Sequence, residues 1–158
     1  STPQERYRHK RRLWDRLLGA LTTNSDLKND YTTVSITMAG KSIDTGSTKV
    51  GSFIGDHVKT SIGTLLNTGT VVGTAAVLVA SGAPLPKYIP PFAWFLNGVI
   101  GKGFGLNVLI HTARTAMSRR KVTMTREDEA LLRHVFEQTS EDRMEYVRKG
   151  RRRSSAHA

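Results

Sequence analysis

His57 is the residue whose type and placement best suit chemistry. It follows Gly55 and Asp56 and is the only histidine between His9 and His111. An imidazole titrating near neutrality can take a proton from an attacking hydroxyl or amine. Asp56 can orient it from nearby, although adjacent residues on a strand point opposite ways. Asn67 and the hydroxyls of Thr60 and Thr68 are candidate donors to a developing oxyanion, and Lys59 is a candidate contact for a phosphate. The same residues have a plainer use. Asn at a tight corner commonly satisfies backbone groups, and His57, Asn67 and Thr68 can all serve in that way.

Other chemistries find less support. His9 lies in a basic run, His111 and His134 fall on expected helices, and His157 is near the C-terminus. No histidine pair has the spacing of a zinc protease, and no cluster suggests a metal. With no cysteine in the chain, thiolate metal sites, disulfides and cysteine nucleophiles are all excluded. No Gly-x-Ser-x-Gly elbow appears, so a serine hydrolase is unsupported. The glycines of Gly101-Lys-Gly-Phe-Gly105 precede no Lys-Ser/Thr pair and follow no clear strand, so they do not read as a phosphate loop.

The elements that must hold His57 repeat every six residues. Ile54, Thr60, Leu66, Val72 and Leu78 occupy one place of the repeat, and Val58, Thr64, Thr70 and Ala76 another. Helices space apolar residues by three or four and strands by two, so a spacing of six fits neither. It fits a chain that turns a corner every six residues and buries one aliphatic and one compact side chain per flat side. Stacked coils of this kind share a core that no single coil forms. The expected fold class is therefore mainly β: a short parallel β-helix of about two coils, preceded by a β-hairpin and flanked by α-helices at both ends.

Around this repeat the pattern is readable. Residues 5–18 suggest an amphipathic helix, with Leu13, Trp14, Leu17 and Leu18 on one stripe. Val34–Met38 alternates, residues 39–41 turn and Ser42–Asp44 returns, which predicts a hairpin. The repeat is expected to end at Ser81–Pro86, where prolines cannot donate ladder hydrogen bonds, with Tyr88–Trp94 as a loop across the end of the coil. Asn107–Arg119 reads as a helix with Leu109, Ala113, Ala116 and Met117 inward. Thr125 and Asp128 resemble a capping box, opening a second helix with Leu131, Leu132, Val135 and Phe136 on one face and an end near Gly150. The expected organisation is a basic N-terminal helix over 1–21, hairpin plus β-helix over 22–95, a helical extension over 96–149 and a disordered basic tail over 150–158.

Charge separates the ends from the middle. Of the net +11, residues 1–16 contribute +4 and residues 114–158 contribute +5. Arg6, Arg8, Lys10, Arg11 and Arg12 form one cluster; Arg148, Lys149, Arg151, Arg152 and Arg153 form the other. Such clusters can neutralise nucleic-acid phosphates, although short basic runs are more often solvated surface and aromatic interleaving is almost absent. No apolar run spans a bilayer and the first residues lack the apolar core of a secretory signal. The expected compartment is the cytoplasm or, if the chain is processed, an organelle matrix. The opening Ser1 leaves room for a processed segment or a larger domain ahead of it.

The segment Lys49–Gly73, with Thr23–Tyr31, Ile43–Gly46, Ser118–Lys121 and Glu129–Glu137, resembles the left-handed β-helix part of sugar nucleotidylyltransferases. These are similar to the bifunctional N-acetylglucosamine-1-phosphate uridylyltransferase/glucosamine-1-phosphate acetyltransferase. The resemblance covers roughly residues 20–140 and is most specific over 43–73. It implies a homotrimer, acyl-coenzyme A bound between neighbouring coils, and acyl transfer to a sugar phosphate. In that setting His57 is the base, Asn67 a further catalytic residue, and Lys59, Thr60 and Thr68 contact the cofactor. The family's N-terminal nucleotide-binding domain has no counterpart here, so nucleotidylyl transfer is not expected of this chain alone. The alternative is a β-helix without catalysis, serving as a scaffold in an RNA-containing assembly through its basic ends.

Overall fold

The computed structural model describes residues 28, 30–38 and 40–155, with side chains through residue 152. The N-terminal helix expected over 1–21, and with it Arg6, Arg8, Lys10, Arg11 and Arg12, lies outside the described residues, as do the side chain of Arg153 and residues 156–158.

Among the described residues nine strands precede three helices: β1 (Ser35–Met38), β2 (Lys41–Asp44), β3 (Phe53–Ile54), β4 (Lys59–Thr60), β5 (Val71–Val72), β6 (Val77–Leu78), β7 (Tyr88–Ile89), β8 (Ala93–Leu96), β9 (Val99–Lys102), α1 (Leu106–Ser118), α2 (Arg126–Gln138) and α3 (Ser140–Ser155). More described residues are helical than extended, so the architecture is mixed α/β rather than mainly β. No helix among the described residues is long and apolar enough to cross a membrane.

The expected hairpin is present. β1 and β2 pair antiparallel, with Ser35 opposite Asp44 and Met38 opposite Lys41.

The six-residue repeat becomes a parallel stack. Phe53 pairs with Val71, which pairs with Tyr88, so β3, β5 and β7 form one parallel ladder. Lys59 pairs with Val77, which pairs with Trp94, so β4, β6 and β8 form a second. A third side is marked by the Leu85 amide donating to the Leu65 carbonyl at 2.9 Å. Between the first two levels, Phe53 and Lys59 thus meet their counterparts 18 residues, three repeats, later. Leu66, Val72 and Leu78 are buried, as are Val58, Thr64, Thr70 and Ala76. Ile54 packs against this core from its edge. The two columns assigned from the spacing are the inside of the stack.

Residues with positive φ mark the corners. Gly51, His57, Gly63, Gly69 and Ala75 follow one another at six-residue steps, each with φ between 59° and 76°. His57, Ala75 and Phe92 fall in one corner column: the Ala75 amide donates to Asp56 O and the Phe92 amide to Thr74 O, each at 2.8 Å. Two glycines make that corner possible. A Cβ on Gly55 would lie 2.6 Å from Thr74 N, and one on Gly73 would lie 2.3 Å from Pro91 N.

The stack is deeper than expected. Tyr88–Trp94 is not a loop across the end but a third level, with Tyr88–Ile89 and Trp94–Phe95 both in parallel register. Pro90 and Pro91 occupy the corner between these strands, where no ladder donor is required. β9 then folds back antiparallel on β8 through Asn97 and Gly98, both at positive φ, as a two-residue turn requires.

The helices pack on the outside of this stack. α1 covers nearly the span expected, with Ile110 and Ala113 buried, while Ala116 is exposed. The capping box holds: the Asp128 amide donates to Thr125 Oγ1 at 3.1 Å, and the Thr125 amide donates to Asp128 Oδ2 at 2.9 Å. Thr125→Ala should lower stability by about 1 kcal/mol, read as a lower urea midpoint at unchanged slope, with Thr125→Ser close to the parent. Leu132 is buried, but Leu131 is exposed instead of sharing its face.

The single helix expected from 126 to about 149 is two. The chain leaves helical geometry at Thr139 (φ −99°, ψ 9°) and restarts at Ser140. α3 then continues through Gly150 to Ser155, where a disordered tail was expected. Gly150 is buried inside the helix because a Cβ there would lie 2.4 Å from Ile100 O, so the glycine marks close approach to β9 and not a helix stop.

Candidate functional site

His57 sits at a corner of the first level, half-buried, with its backbone at φ 59°. Burial holds its pKa below the ordinary 6.5; Asp56 and Asp128 oppose the shift, and Lys59 adds to it. Asp128 stands at the start of α2, so the helical layer brings a carboxylate towards this corner that the sequence pattern did not suggest. A neutral imidazole at pH 7 is the form in which histidine accepts a proton.

The same burial gives stability a pH dependence. The unfolded chain binds a proton at His57 before the folded one does. The contribution is fully present above pH 6.5 and is lost as pH falls towards the depressed folded value. Between pH 7.5 and 5 the melting temperature of the parent should therefore fall more than that of His57→Asn, a variant whose side chain does not titrate. Parallel melting curves for the two proteins would exclude this role.

The other sequence-selected residues divide. Lys59 is exposed on the outer face of β4, close enough to act on His57. Thr60, next to it, is partly buried and pairs with Leu78. Asn67 and Thr68 belong to a different corner, the one where Gly69 donates to Gly51 O. The Asn67 carbonyl accepts from Ser52 Oγ at 3.0 Å and from the Thr70 amide at 3.1 Å. Thr68 is buried and its carbonyl accepts from Lys87 Nζ. One chain therefore brings together His57, Lys59 and Asp128, and does not bring Asn67 or Thr68 to them. Of the C-terminal cluster, Arg148, Arg151 and Arg152 are exposed on α3, while Lys149 pairs with Glu145.

Beside the His57 corner runs a cleft of about 490 Å³ between the outer face of β4–β6–β8 and the helices. Lys59, Val77 and Trp94, in register on successive strands, form its floor. Trp94 packs edge-on against Phe104 with ring centroids 4.4 Å apart. Gly103 admits the indole, since a Cβ there would lie 2.9 Å from its ring atoms. Phe92 and Phe136, also edge to face at 5.1 Å, form the inner wall.

Arg143 is the residue that the sequence concealed. On a helix with mostly charged neighbours it reads as solvated, yet it is only 5 % exposed and lines the cleft. Its guanidinium carbon lies 4.0 Å from the Phe136 ring centroid and 5.7 Å from that of Phe92. Nη1 donates to Thr139 Oγ1 and Nη2 to Phe136 O, each at 3.2 Å. Burial lowers its pKa, with Asp142 opposing, and the Asp142 carboxylate accepts from the Tyr88 hydroxyl. No spacing rule marks such a residue, because its burial depends on the helix break at Thr139 and on Phe92 from a distant corner.

Among the described residues no group of His, Cys, Asp and Glu is placed to hold a metal ion. No protein-family model matches the chain, and comparisons with curated proteins and with solved structures found no match either.

Proposed function

We propose that the chain is a left-handed parallel β-helix domain of acyltransferase type, passing an acyl group from acyl-coenzyme A to a sugar phosphate. The observation that carries this reading is the His57 corner: a half-buried imidazole held neutral at pH 7, beside the exposed amine of Lys59. In the reaction, a hydroxyl or amine of the acceptor attacks the thioester carbonyl and gives its proton to His57. The C–S bond breaks as the tetrahedral intermediate collapses, and His57 returns the proton to the departing thiolate. Lys59 supplies positive charge for a phosphate of either substrate. Asn67 and Thr68 stand on another corner of the same chain, so their part in this reading falls to a neighbouring copy in a homotrimer. Nucleotidylyl transfer would belong to a separate N-terminal domain.

The test uses the absence of cysteine. With no protein thiol in the background, a thiol reagent reads released coenzyme A directly when the protein is mixed with acetyl-coenzyme A and sugar phosphates. Acceptor-dependent thiol release supports the proposal. No release with any sugar phosphate, by protein shown to be folded and trimeric, would count against it.

A second reading, a scaffold bound to RNA in the cytoplasm or an organelle matrix, has one observation in its favour. Arg148, Arg151 and Arg152 recur at helical spacing on the exposed last turns of α3. Thermal stabilisation by a short RNA that disappears in high salt, with none by acetyl-coenzyme A, would favour the scaffold.

A further inference from the structure

We infer that the cleft between the β4–β6–β8 face and the helices is a binding site for a small organic anion: a phosphate or carboxylate attached to a flat apolar body, with the anionic group on Arg143. This site shares Lys59 with the acyl-transfer reading but needs neither His57 nor a second copy of the chain.

The argument begins with charge. A guanidinium removed from water loses several kcal/mol of hydration unless an anion replaces it (roughly, by burial arguments). Among the described residues Arg143 donates to two neutral acceptors, Thr139 Oγ1 and Phe136 O, and its fork carries further donors that an anion could engage. The nearest carboxylate acting on it, Asp142, is turned to Tyr88. Among the described residues no Asp or Glu lines the cleft, whereas Lys59 and Lys102 do. Three cations and no carboxylate around one cavity select for an anion.

Shape and surface select the rest of the ligand. A volume of about 490 Å³ falls within the range of small-molecule sites and exceeds what a bare inorganic ion fills. The lining also includes Trp94, Phe104 and Val108, with Phe104 76 % exposed and Val108 51 % exposed. An aromatic body lying there would cover these side chains while its anionic end reaches the guanidinium. Apolar contact and a charge-assisted hydrogen bond would then act on the two ends of one molecule.

The experiment titrates the 158-residue protein with phenyl phosphate, phenol and inorganic phosphate, each by calorimetry. It then repeats the phenyl phosphate titration in a Trp14→Phe background, where Trp94 is the only indole emitter. Phenyl phosphate should bind at least about tenfold more tightly than either half alone and should change Trp94 emission. Arg143→Met keeps an apolar stem against Phe136 and should weaken binding by about tenfold or more. Should that variant fold poorly, Lys59→Gln/Lys102→Gln decides the matter: both residues are exposed, so the fold is kept while affinity falls several-fold. Phenol binding as tightly as phenyl phosphate, an unchanged Trp94 signal, or full affinity in the lysine double variant would each overturn the inference. None of these readings depends on acyl transfer, so loss of that activity proposal leaves the outcome intact.

Discussion

Gly73→Ala should destabilise the fold by about 3 kcal/mol and lower the melting temperature by roughly 6–12 °C for a chain of this size. At this position a methyl group would sit 2.3 Å from Pro91 N and 2.5 Å from Pro91 Cδ, with Pro91 Cα at 2.7 Å. These atoms belong to the next level of the stack and cannot rotate away. Relief requires the two levels to separate, which breaks the ladder bond from the Gly73 amide to Ile89 O at 2.8 Å. Backbone freedom is not the cause, since Gly73 has no positive φ. Gly101→Ala is the matched comparison: its nearest neighbour is Trp94 O at 4.0 Å and its backbone is ordinary, so stability should change little. Urea denaturation of both variants at constant slope measures the difference. Equal stability of Gly73→Ala and the parent would mean that the levels are not stacked as described.

For the proposed acyl transfer, His57→Asn should lower kcat by about 10²- to 10⁴-fold, the usual contribution of a positioned general base. Asparagine is the informative replacement because it tolerates positive φ, whereas alanine at φ 59° would add backbone strain. Melting temperature at pH 7.5 and oligomeric state should therefore stay near those of the parent while turnover collapses. Activity that survives in a folded variant would remove His57 from the mechanism and leave the corner a purely structural feature.

Much of the scaffold was legible because one period governs it. Leu66, Val72 and Leu78 are inside for the reason their spacing suggested, and so are Thr64 and Ala76. The hairpin at 35–44 and the cap at Thr125 follow local rules that involve only neighbours in sequence. The third level escaped because the period slips there: Val71 pairs with Tyr88 at 17 residues, whereas Phe53 pairs with Val71 at 18. The pair Asn97-Gly98 is of the kind that makes a two-residue hairpin turn, and it joins β8 to β9. Gly150 misled, since a glycine that admits a neighbouring strand looks in sequence like one that ends a helix. The cleft was the least visible. Lys59 could be singled out beside His57, but Lys102, Trp94 and Arg143 meet it only through strand register and helix packing.

α3 has a consequence for how this architecture ends. A ladder of parallel rungs offers at its last rung the same bonding pattern as at every other, and nothing intrinsic tells it to stop. Here β9 reverses direction against β8, and α3 packs on β9 with Gly150 against Ile100, while Tyr146 meets Tyr88 of β7 at 5.2 Å. Copies of this chain arriving at the β8 edge meet a reversed strand under a helix instead of open amides, which opposes end-to-end fibre growth along that sheet.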